Sequence, residues 1–101
     1  MKFGLKKGDI EVLQDVFGRF PKIKRVVILG SRAMGNFKKG SDVDLAIMGK
    51  INPDIITHVS MILNEETTLP YFFDILHYSA IASKELKHHI DEHGVLIYEK
   101  R

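Results

Sequence analysis

A small α/β domain is the fold class this sequence predicts, on three observations. Apolar segments with helical spacing alternate with short apolar runs of strand type, and no linker, repeat or low-complexity stretch interrupts them. A chain of 101 residues with 45% hydrophobic content has material for one core and hardly more. Residues 1–101 therefore read as a single domain, a β-sheet flanked by helices.

Each element has a local reason. Ile10, Leu13, Val16, Phe17 and Phe20 recur at helical spacing behind Asp9, a residue type suited to the N-cap, and Pro21 marks the helix end. The apolar run Arg25 to Leu29 predicts a buried strand that ends in Gly30-Ser31, with Arg32 to Gly35 opening a short helix. A second strand is expected from Asp42 to Met48. Asn52-Pro53 supplies a cap and a first-turn proline, and Ile55, Ile56, Val59, Ile62 and Leu63 then draw one apolar stripe to Glu66. Tyr71 to His77 reads as a strand between Pro70 and Ser79. Strand, helix and strand of this length form a crossover unit, so the second and third strands are expected to be parallel neighbours. A last helix from Ser83 to His93 stops at Gly94, a C-cap residue type, and Gly94 to Tyr98 follows. Apolar Val95, Ile97 and Tyr98 on a terminal edge strand suit partner docking or homo-oligomerisation.

Composition narrows the function. The chain has no cysteine, which excludes disulfides and cysteine-based zinc sites. It has no signal-peptide pattern and no run of eighteen or more apolar residues, so a soluble cytoplasmic protein without a membrane role is expected. A net charge of +2 is too small to mark a nucleic-acid binder, although Lys2, Lys6, Lys7, Lys22, Lys24 and Arg25 make the first quarter locally basic.

The chemistry concentrates between Gly30 and Asp44. Gly30-Ser31 sets a turn at a strand end, where backbone N–H groups and the Ser31 hydroxyl face an anion. Ten residues separate it from Asp42-Val43-Asp44. Residues two apart on a strand share a face about 6 to 7 Å apart. Two like charges so placed repel unless a cation compensates them, and one or two Mg²⁺ ions would. Lys38, Lys39 and Gly40 in the joining loop suit either a polyphosphate or a solvated surface. Asp74 interrupts the apolar run of Tyr71–His77, and an ionised carboxylate on a buried strand needs a metal, a backbone donor, or an arginine such as Arg25 or Arg32. Three carboxylates on adjacent strands are the set that two-metal phosphoryl chemistry requires. Asn36-Phe37 stands where a P-loop needs Lys followed by Ser or Thr, which excludes a Walker-type NTPase. His88, His89 and His93 lack a convincing completing ligand, so no metal is expected there, and His77 should face away from Asp74. Met34 and Phe37 either wall a nucleobase or cap the core edge.

Gly30-Ser31-Arg32-Ala33, Gly35, Ser41 to Ile47 and Phe73-Asp74-Ile75-Leu76 resemble the minimal nucleotidyltransferase family of the DNA polymerase beta-like superfamily, over most of the chain. The resemblance implies a mixed sheet and a catalytic set of Asp42, Asp44 and Asp74 that binds two Mg²⁺ ions. It further implies that Gly30 and Ser31, with Arg32 and Ser41 of the same motif, bind the triphosphate of ATP as substrate. Family members of this size pair with a small helical HEPN-type toxin as its antitoxin, and some transfer AMP to a tyrosine of that toxin. The expected activity is thus transfer of AMP from ATP to a hydroxyl. A domain this small has no second wall to enclose a substrate, which favours an acceptor on a partner protein. The alternatives are transfer to a small molecule such as an aminoglycoside, and a non-catalytic module that neutralises a toxin by covering it.

Overall fold

The computed structural model of the chain describes residues 2–101. Strands β1 (Ile23–Leu29), β2 (Val43–Gly49), β3 (Phe73–His77) and β4 (Val95–Glu99) form one mixed sheet in the order β3-β2-β1-β4. β1 runs antiparallel to β2 and β4, whereas β2 and β3 are parallel. The parallel pair is the expected crossover, carried by α3 (Pro53–Met61) and a π-helical turn, Ile62–Glu66.

The alternating strand residues divide between two faces of unequal cover. On one face α1 (Lys7–Gly18), α3 and the π turn bury Val26, Ile28, Leu45, Ile47 and Phe73 beneath Leu13, Phe17, Val59 and Leu63. Burying each such side chain contributes about 1.5–3 kcal/mol, so this layer drives folding. On the other face α4 (Lys84–His93) sets Ile90 against Val27, Leu29 and Ala46. Beyond that cluster the same face carries Asp44, half-buried, and Asp74, exposed.

Several local expectations are corrected. Asp9 is not the N-cap of α1: Lys6 holds that position, and Asp9, on the third helical residue, accepts the Lys6 backbone N–H at 3.1 Å. A carboxylate serves the free N–H groups of a helix start from either place, so residue type alone does not separate the two. Phe20 lies beyond the helix but still packs on the core. Gly94 is the C-cap of α4, as expected, and takes φ −67°. Glycine is required there by close approach, since a Cβ would stand 2.5 Å from the Ile90 carbonyl oxygen and 3.2 Å from Val27 Cγ2. On β4, Ile97 points inward while Val95 and Leu96 are exposed. The Gln14 side-chain amide donates to the Ile97 carbonyl at 3.0 Å, so α1 already covers part of that edge. Among the described residues no helix is long and apolar enough to cross a membrane.

Candidate active site

Register places two of the carboxylates together. Asp44 and Asp74 are paired neighbours across the parallel β2–β3 ladder, where adjacent strands lie about 4.8 Å apart. Asp42 stands one residue ahead of β2, exposed, so the strand begins at Val43 rather than at Asp42. Asp74 is also exposed, which corrects the expectation of a buried strand. β3 is an edge strand whose second face is bare at its start: Tyr71 and Phe73 turn into the core, and Phe72 and Asp74 turn out. The apolar residues on both sides of Asp74 hid that alternation. His77, in step with Phe73, faces away from Asp74 and contacts the Ser79 hydroxyl at 2.7 Å.

No ion pair among the described residues neutralises this cluster. Partial burial pushes the Asp44 carboxyl above its ordinary value, and the neighbouring Asp74 and Asp42 charges push it further, against a smaller lowering by Arg32. Ion pairs among the described residues lie elsewhere, between Arg19 and Asp15 and among His88, Glu92 and His93 on α4. Among the described residues, no three carboxylate, imidazole or thiol groups already converge as a metal centre. The donor set nevertheless fits a hard divalent cation: Asp44 and Asp74 stand side by side in register, and Asp42 contributes an exposed, rotatable carboxylate.

The turn after β1 meets this cluster directly. Gly30 begins the five-residue helix α2 (Gly30–Met34) with φ +73°, and Leu29 pairs with Asp44 across the β1–β2 ladder. A Cβ at position 30 would lie 2.6 Å from Asp44 Oδ2, so only glycine lets the carboxylate rest against the turn. The first N–H groups of α2 have no intrahelical acceptor, which leaves donors beside the carboxylates. Gly35 closes the helix in the left-handed conformation, at φ +81°.

Arg32 and Ser41 are both engaged by the loop that leads to Asp42. Arg32 is only 3% exposed. Its Nε and Nη2 donate to the Ser41 carbonyl at 3.1 and 2.7 Å, Nε donates also to the Asp42 carbonyl at 3.3 Å, and Nη1 donates to the Phe3 carbonyl at 2.8 Å. The Phe37 and Tyr71 rings enclose the guanidinium, their centroids 5.2 and 5.1 Å from its carbon. Phe37 is thus occupied by Arg32, while Met34 stays exposed. Ser41 Oγ accepts the Lys38 N–H at 2.9 Å, and the Ser41 N–H donates to the Lys38 carbonyl at 3.0 Å, closing the loop that delivers Asp42.

Two supports escaped the sequence reading. Asn64, on the π turn, grips the Phe73 backbone as a strand partner would: its amide donates to the Phe73 carbonyl at 3.0 Å, and its oxygen accepts the Phe73 N–H at 2.7 Å. One residue before Asp74, this fixes the outer edge of β3. The π turn is the signal, but no periodicity distinguishes it from a plain helix end. Phe72 is 59% exposed on the same face as Asp74, an aromatic surface beside the third carboxylate. Its signal was the strand alternation itself. A groove of about 540 Å³ runs elsewhere, between α1 and β4, and none of the carboxylates lines it.

A mixed four-stranded sheet with paired carboxylates at the end of a parallel ladder, and a glycine turn laid against one of them, defines a nucleotidyl-transferring class of domain. The chain belongs to the polymerase beta nucleotidyltransferase family, whose model matches residues 11–101. No curated protein matches the sequence. Solved structures share the fold. One is a toxin–antitoxin complex with AMP-PNP, at TM-score 0.72 and 19% identity over 96% of this chain and 76% of that chain. A tri-AMPylated Shewanella oneidensis HEPN toxin in complex with MNT antitoxin gives TM-score 0.61 and 14% identity over 90% and 73%. A nucleotidyltransferase, itself a provisional assignment, from Sulfolobus solfataricus gives TM-score 0.55 and 22% identity over 90% and 77%.

Proposed function

We propose that this nucleotidyltransferase transfers AMP from ATP to a hydroxyl on a partner protein, in a Mg²⁺-dependent reaction. The observation that carries the reading is the carboxylate cluster of Asp44, Asp74 and Asp42, in no ion pair among the described residues, against the Gly30 turn. Asp42, Asp44 and Asp74 would hold Mg²⁺, as two ions, and the metal supplies charge compensation at the phosphates and acidity for the attacking hydroxyl. Gly30 and Ser31 bind the triphosphate through the free N–H groups of the α2 start and the Ser31 hydroxyl. Arg32 and Ser41 act behind that contact, by shaping the loop. The acceptor oxygen attacks the α-phosphorus, the bond to the bridging oxygen breaks, and pyrophosphate leaves with the electron pair. The acceptor proton passes to Asp74 or to water. The carboxylate face is open, because Asp42, Asp74 and Phe72 are all exposed, and an open face suits an acceptor carried by a macromolecule. A tyrosine of a small helical HEPN-type toxin fits that requirement, since the phenol ring has Phe72 to pack on beside Asp74. This chain would then serve as the antitoxin.

The test is incubation with Mg²⁺, the helical partner, and ATP labelled at either the α- or the γ-phosphate. Wild-type protein should label the partner from the α-position only and release the γ-label as pyrophosphate. Label from the γ-position would mean phosphorylation. A stable complex with no label at either position would favour a non-catalytic module.

A further inference from the structure

We infer that the turn Lys2–Leu5 positions the catalytic loop through Arg32, as a strap that holds Asp42 from the far side of the guanidinium. The inference rests on the proposed nucleotidyl-transfer site and assigns that site a support outside residues 11–101, the stretch the family model matches. The turn is built for the purpose. Lys2 and Leu5 close it by reciprocal backbone hydrogen bonds of 3.2 and 2.8 Å, and its two central residues have positive φ, 59° at Phe3 and 72° at Gly4. Phe3 is the only non-glycine residue with positive φ among the described residues. A bulky residue adopts that conformation only where its surroundings enforce it. Here the conformation aims the Phe3 carbonyl at Arg32 Nη1. A Cβ on Gly4 would stand 2.5 Å from Phe37 Cε2 and 2.7 Å from Arg32 Nη1, so the turn presses directly on the enclosed guanidinium.

The network continues on both sides. Leu5 is wholly buried in the core and anchors the strap. Tyr71, which forms the other wall, donates its hydroxyl to Asp9 at 2.8 Å, and Asp9 also accepts the Lys6 N–H. The start of α1, the lead-in to β3 and the Ser41–Asp42 backbone thus converge on one planar cation. Its fork of donors serves three carbonyls at once, which a lysine ammonium does not reproduce. Arg32 is in this account a positioning residue. It fixes the backbone that carries Asp42 and touches no substrate.

Gly4→Ala and Arg32→Lys test the strap with two readouts beside the melting temperature. The first is hydrogen exchange in residues 38–42, and the second is Mn²⁺ affinity in the presence of a non-hydrolysable ATP analogue. Both variants should exchange roughly tenfold faster in that loop and bind Mn²⁺–nucleotide roughly tenfold more weakly, the factor for losing one hydrogen bond to a charged group. Exchange in β1 and β2 should stay as in wild type. Should Gly4→Ala not fold, Phe37→Leu opens one wall without altering the backbone. A lower melting temperature with unchanged loop exchange and Mn²⁺ affinity would make the turn merely structural and overturn the inference. If wild type itself binds no metal–nucleotide, the functional reading falls, and loop exchange alone still decides whether the strap holds the Asp42 loop.

Discussion

Replacing Gly30 by alanine should weaken the protein by two separable amounts. The backbone at Gly30 has φ +73°, where an L-residue costs about 1–2 kcal/mol. The added Cβ would also lie 2.6 Å from Asp44 Oδ2, so the carboxylate must rotate away, and a displaced rotamer costs about 0.5–1.5 kcal/mol. Together these give about 1.5–3.5 kcal/mol, or a fall of about 6–28 °C in melting temperature for a domain of this size. In an Asp44→Ala background the second contribution disappears, because the next atom, Asp44 Cβ, is at an unstrained 3.7 Å. A double-mutant cycle followed by urea unfolding should therefore find a coupling of about 0.5–1.5 kcal/mol between positions 30 and 44. Nucleotidyl transfer by Gly30→Ala should drop with it, since the carboxylate that moves is the one proposed to bind metal. A cost for Gly30→Ala that is the same in both backgrounds would refute the packing of Asp44 against the turn.

Further outcomes follow from the same geometry. A carboxyl whose folded pKa is raised holds its proton more tightly in the folded state, so Asp44 lowers stability as pH rises from its unfolded value of 3.8 through its raised folded value. Asp44→Asn should accordingly melt higher than wild type at pH 7, with the gap closing as the pH falls through that window, while its transfer activity is lost. Mg²⁺ should raise the melting temperature of wild type at neutral pH but not that of Asp44→Asn; equal shifts would remove Asp44 from the metal site. Asn64→Ala should cost about 1–3 kcal/mol, because it removes both hydrogen bonds to Phe73, and it should speed exchange at the Phe73 amide; a neutral result would discount the side-chain grip on β3.

Much of the candidate site's arrangement was legible because it is local in sequence. Gly30-Ser31 and Asp42-Val43-Asp44 lie where one antiparallel pair of strands ends and begins, and the crossover rule alone brought Asp74 beside Asp44. Legibility ended where the answer depended on which side of an element is covered. The run Tyr71 to Leu76 looks buried throughout, yet its position at the sheet edge exposes Phe72 and Asp74. Arg32 sits within the motif and looks available to a phosphate, but the Phe3 carbonyl that claims it is twenty-nine positions away in the chain. The Asn64 contact depends on a π turn that no 3.6-residue period reveals.

The central claim is that the Asp42–Asp44–Asp74 cluster performs nucleotidyl transfer to a partner protein. It is tested most directly by the intact mass of the helical partner after co-expression with wild type or with Asp42→Asn Asp44→Asn. The partner from the wild-type culture should carry a whole number of adenylate additions, and the partner from the variant culture none. An unmodified partner in both cultures, although complexed with this chain, would contradict the account.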